Sequence, residues 1–134
     1  MLSNLRRQLL LFLNIIILQF SFATAALAQG MPVVVQAAKD ADWQTLHTLL
    51  DDGLQPNAVY GDGTSALHWV SYHESEESAA KLLAAGANPN AVTDLGVTPL
   101  WLAAENGNAA MTKLLLGAGA DPNIVLESGE TIVM

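Results

Sequence analysis

Acidic residues outnumber basic ones by 13 to 5 along these 134 residues, and two of the five bases, Arg6 and Arg7, fall near the start; from Gln29 onward the ratio is 13 to 3, a net of −10. Such a charge balance excludes nucleic acid as a partner, since phosphate binding needs clustered Lys and Arg, and it favours solubility and basic partners. With no cysteine in the chain, there is no disulfide, thiol nucleophile or lipid-attachment thiol, and packing alone must hold the fold.

Residues 1–28 are expected to form an export signal. Arg6 and Arg7 make a positive opening, Leu9 to Phe22 is a run of Leu, Ile and Phe broken only by Asn14, Gln19 and Ser21, and Ala26-Leu27-Ala28 has the small-x-small pattern that signal peptidase accepts. Cleavage is expected after Ala28, which would leave residues 29–134 as one domain, periplasmic or secreted and with no membrane attachment. An uncleaved anchor stays open, because the apolar stretch with its Ala-rich tail approaches the ~20 residues that span a bilayer.

Beyond the leader one period governs the chain. Gly96, Thr98 and Leu100 stand 33 residues after Gly63, Ser65 and Leu67, and Leu115, Leu116, Gly119, Pro122 and Asn123 stand 33 after Leu82, Leu83, Gly86, Pro89 and Asn90. The same step back reaches Leu49, Leu50, Gly53, Pro56 and Asn57. Glycine, proline and paired leucines recurring without a gap mark stacked structural units. The segment Gly-Val-Thr-Pro-Leu-Trp-Leu-Ala-Ala-Glu-Asn-Gly at 96–107, followed by Lys-Leu-Leu-Leu-Gly-Ala-Gly-Ala-Asp-Pro-Asn at 113–123, resembles an ankyrin repeat, whose unit opens on Thr-Pro-Leu-His. The resemblance implies an all-α solenoid of helix-turn-helix units joined by hairpin loops, with repeats at about 30–60, 61–93 and 94–126 and the start of a fourth at 127–134. It implies a non-enzymatic module for a protein partner, with no cofactor and no metal.

In the first unit Pro32 occupies the serine or threonine position, and Val33-Val34-Val35 alone has the propensity of a strand. The register instead places Val34 with Leu67 and Leu100 on the core face of an inner helix. Leu46, Leu49 and Leu50 share a helical stripe from about Trp43 to Leu50, and Gly53 ends that helix with a backbone that tolerates positive φ. Asp40 and Asp42 are assigned to the solvated turn between the helices. In the second unit Ser65 is the expected N-cap and Leu67 the core anchor; His68 matches the motif histidine, whose imidazole, by the resemblance, hydrogen-bonds backbone between repeats. The run His73-Glu74-Ser75-Glu76-Glu77 has the outline of a truncated zinc-hydrolase signature with Glu77 in place of the second histidine. The register puts Glu74 opposite Gly107, in an interhelix turn, and the carboxylates then suit the first turn of an outer helix. A metal-dependent hydrolase centred on His73 and Glu77 is the rival to a binding module.

The third unit has Thr98 as cap, Pro99 at the first helical position and Gly107 at the turn, but Trp101 replaces the motif histidine and removes the inter-repeat hydrogen bond expected there. Gly129 to Val133 opens a fourth unit in register. Without a following neighbour, Leu100, Leu114 and Leu115 would be exposed, because each unit buries its face on the next.

By the resemblance, partner contact falls on the positions that the repeat leaves free at the hairpin tips and on the inner helices. These are Tyr60, Asp62, Trp69, Tyr72 and His73 in the second unit and Thr93, Asp94, Leu95, Leu102 and Glu105 in the third. Tyr60, Trp69, Tyr72 and Leu95 would form an apolar strip, with Asp62, Asp94 and Glu105 at its rim. Aromatic side chains are the anchors protein interfaces use most. For Trp69, packing between helices is an equal alternative.

Overall fold

A computed structural model of the chain describes residues 4–8 and 30–123. Most of the expected leader and the opening of the fourth unit lie outside the described residues. Among the described residues, no helix is long and apolar enough to cross a membrane.

Between 30 and 123 the chain forms three helix pairs: α1 (Val33–Lys39) with α2 (Trp43–Asp51), α3 (Ala66–Tyr72) with α4 (Glu76–Ala84), and α5 (Pro99–Glu105) with α6 (Ala109–Gly117). The inner helices α1, α3 and α5 are each 7 residues long and the outer helices 9, so the bounds repeat at the 33-residue step without slippage. The inner helices pack in one row and the outer helices in a second: α3 touches α1 and α5, and α4 touches α2 and α6. The strand propensity of Val33–Val35 is overridden, because a helix buries Val34 and Val35 together with Ala37 and Ala38.

One apolar cluster runs the length of the stack through Val34, Leu46, Leu67, Val70, Leu82, Leu100, Met111 and Leu115. Leu100 and Leu115 are 1 % and 0 % exposed. Both join the cluster that holds Leu67 and Leu82; Leu114 and Leu116 pack against it half-buried.

Local chemistry sets the ends of the helices. The Asp42 carboxylate caps α2 by accepting the Thr45 N–H at 3.1 Å and the Thr45 hydroxyl at 2.6 Å, while Asp40 accepts from Gln36 at 2.8 Å. Thr98 and Asn108 cap α5 and α6 through the N–H groups of Trp101 and Met111. Each interhelix turn puts one residue in the left-handed region. Gly107 (φ 69°) occupies it in the third unit, as the sequence suggests, but Ala41 (φ 55°) and Glu74 (φ 61°) hold the same register in the first two.

Neighbouring units are stitched by side chains that repeat at the period. The Asn57 amide donates to the Gly86 carbonyl at 2.9 Å and its oxygen accepts from Asn88 N–H; Asn90 does the same with Gly119 (3.0 Å) and Asp121 (2.7 Å). The hairpin tips touch directly, with Asp94 N–H donating to the Asp62 carbonyl at 2.9 Å. Gly63 is obligatory at this contact: a Cβ there would sit 2.9 Å from the Val92 carbonyl oxygen.

Candidate functional site

Where the hairpin tips of the second and third units meet inner helices α3 and α5, the surface opens into a groove of about 470 Å³. Seven of the ten candidate residues line it: Asp62, Trp69, Tyr72, Thr93, Asp94, Leu95 and Leu102. Thr64 and Val97 on the hairpin arms and His68 on α3 complete the lining. The two arm residues pair at the 33-residue step, and the difference between Thr64 and Val97 is the sequence signal that would have found them. Leu95 is 76 % exposed, the most accessible large apolar side chain among the described residues, and Tyr72 is 54 % exposed.

Tyr60, His73 and Glu105 fall outside the groove. Tyr60 closes the second hairpin through backbone hydrogen bonds with Thr64 and Gly63, and Glu105 is exposed at the end of α5. His73 caps α3 and ties the second unit to the first, its Nε2–H donating to the Lys39 carbonyl at 3.0 Å. One period later the Asn106 amide donates to the Tyr72 carbonyl at 3.1 Å, so His73 and Asn106 are equivalent inter-repeat ties.

The zinc-hydrolase outline does not survive the backbone. A metal site of that kind needs its ligands on one face of a continuous helix. Here α3 ends at Tyr72, Glu74 turns the chain at positive φ, and Glu77 lies in the first turn of a new helix. His73 Nε2 is engaged at the Lys39 carbonyl, and among the described residues no group of three or more His, Asp or Glu side chains is placed to hold a metal ion. Asp40 and Asp42 take separate roles at the turn, the first accepting from Gln36 and the second capping α2.

Trp69 is both packing and surface. Its ring packs against the apolar cluster, lies stacked with His73 at 6.1 Å between centroids, meets Tyr72 edge-on at 5.9 Å and carries the Lys39 ammonium 5.9 Å from its centroid. Its Nε1–H is shut away with no acceptor among the described residues, a cost of about 1–3 kcal/mol that the surrounding packing must offset.

His68 sits beneath the groove, 2 % exposed. The Ser65 N–H donates to Nδ1 at 3.1 Å and the Ser65 hydroxyl lies 2.8 Å from the same atom, so Nδ1 is the acceptor. Nε2 therefore carries the proton and donates to the Val97 carbonyl at 3.0 Å. Burial pushes the imidazole below its ordinary pKa of 6.5, against the opposing pull of the Val97 carbonyl. The inter-repeat role expected of this histidine is the one it performs. At the equivalent Trp101 the indole is half-buried; the position one period after Val97 is Glu130, outside the described residues.

At the rim, Asp62 is held ionised. Hydrogen bonding from Thr64, by its hydroxyl and then by its backbone N–H at 2.9 Å, keeps the carboxyl below its ordinary range. Asp94 stands on the adjacent tip. Among the described residues no lysine or arginine lines the groove, so an apolar and aromatic floor meets an acidic edge.

A family model described as ankyrin repeats, in three copies, matches residues 34–125. The chain belongs to the ankyrin repeat family. Among individually curated proteins none matches it. Ankyrin repeats are in general protein–protein interaction modules and typically non-enzymatic. In this ankyrin chain, the side chains that stitch the units (Asn57, Asn90, His68, His73, Asn106) are distinct from those that line the groove, apart from His68.

Proposed function

We propose that this ankyrin chain is a non-enzymatic interaction module that works in an extracytoplasmic compartment, periplasmic or secreted, and holds a protein partner in the groove between its second and third units. The groove itself carries the reading: Trp69, Tyr72, Leu95 and Leu102 gather apolar surface in one opening, and buried aromatic anchors dominate protein interfaces. Export rests on the order of Arg6-Arg7, the apolar run and Ala26-Leu27-Ala28 in the leader. The tethered alternative differs only in keeping that leader.

Two measurements test it. A photo-crosslinking side chain placed at Leu95 should capture a partner that the same group at Lys113, on an outer helix, does not. Changing Tyr72 and Leu95 together to alanine should weaken that partner by tenfold or more, about 1.4 kcal/mol or above. Capture from Lys113 alone would overturn the groove. N-terminal sequencing of the captured chain should begin at Gln29; Met1 retained in a membrane fraction would replace export and cleavage with the anchor.

A further inference from the structure

We infer that the side chain the partner inserts into this groove is an arginine with apolar neighbours; this rests on the groove being the partner's contact surface. The lining combines two features that one side-chain type satisfies together. At the rim, Asp62 and Asp94 stand on adjacent hairpin tips joined by a 2.9 Å backbone hydrogen bond, and among the described residues no lysine or arginine lines the groove to neutralise them. The floor offers Tyr72, Leu95 and Leu102.

A guanidinium carries a fork of donors suited to carboxylates, a planar face that stacks on an aromatic ring, and an aliphatic stem that lies along apolar surface. Lysine offers a point charge without the planar face, and an apolar side chain leaves the rim unanswered. Tyr72, which meets Trp69 and His73 edge-on at 5.9 and 5.2 Å, is the ring offered for stacking because it is 54 % exposed whereas Trp69 is half-buried under Lys39. The net of −10 from Gln29 onward steers a basic segment toward the domain over the longer range.

The test is selection of a random peptide library, about a dozen residues long, on the immobilised full-length chain, followed by binding of single peptides to the wild type and to Asp62→Asn with Asp94→Asn. Asparagine keeps the oxygen that accepts from Thr64, and circular dichroism checks that the double variant folds. Enriched peptides should share an arginine beside apolar residues. Replacing that arginine by citrulline, which keeps the shape and removes the charge, should weaken binding about tenfold, and the double variant should weaken it as much. Enriched peptides that lose binding on Tyr72→Ala with Leu95→Ala yet carry no shared arginine would overturn the inference and leave the groove reading standing. Enriched peptides indifferent to both double variants would overturn the two together.

Discussion

His68 shows how one buried side chain couples the stack to the acidity of its surroundings. Its Nδ1 accepts from Ser65 and its Nε2–H donates to Val97 in the next hairpin, so a second proton would turn the Ser65 N–H from donor to clash and charge a buried ring. Because burial lowers the folded pKa below 6.5, the unfolded chain takes up the proton first as pH falls. The stability that neutral His68 contributes is therefore fully present above about pH 6.5 and is lost progressively between that value and the lower folded one. Urea titrations from pH 8 to pH 5 should show the midpoint falling on the acid side. His68→Gln should cost about 1–3 kcal/mol at pH 8 and flatten that fall. An unchanged slope in the variant would show that another group governs it.

At the scale of the element, the interhelix turn is the weakest match between sequence and backbone. Positions 41, 74 and 107 all take positive φ, and only the last is glycine. A left-handed conformation costs an L-residue about 1–2 kcal/mol, whereas glycine loses roughly 0.5–1 kcal/mol more chain entropy on folding. Glu74→Gly should then raise stability by about 0.5–1 kcal/mol by urea titration, with Gly107→Ala moving the other way. A loss on Glu74→Gly would mean the glutamate side chain holds the turn. The turn is legible because Glu74 aligns with Gly107, and the helices because Gly, Pro and paired Leu recur; the same register corrects the strand propensity of Val33–Val35. His73 stands outside the groove and makes a hydrogen bond to a backbone 34 residues away, a contact that leaves no local trace in the sequence. Its alignment with Asn106, another polar donor, is the signal that points to that role. The groove lining is legible by contrast with the regular spacing of the stack, while Tyr60 stands apart because its backbone closes the second hairpin and Glu105 because it ends α5, placements that residue type alone does not encode.

For the whole molecule, the middle unit decides how the stack fails. Helices α3 and α4 are the only described pair flanked on both sides, packing on α1 and α2 and on α5 and α6, and Leu82 is fully buried at that centre. A solenoid's stability is the sum of unit terms and nearest-neighbour interfaces, and damage to a central unit weakens two interfaces where a terminal one weakens a single interface. Leu82→Ala should cost about 2–5 kcal/mol, against under about 0.5 kcal/mol for exposed Glu76→Ala. The outer-helix ion pair of Lys81 with Asp51, 2.9 Å long and solvent-exposed, adds too little to compensate. Native-state hydrogen exchange distinguishes this from a local defect. In Leu82→Ala the amides of α1 and α5 should exchange faster by a common factor, as both terminal units lose the neighbour that holds them, and the urea transition should shift as one. Acceleration confined to α3 and α4, with the flanking helices protected as in the wild type, would mean the terminal units stand without the centre and that the stack is not cooperative.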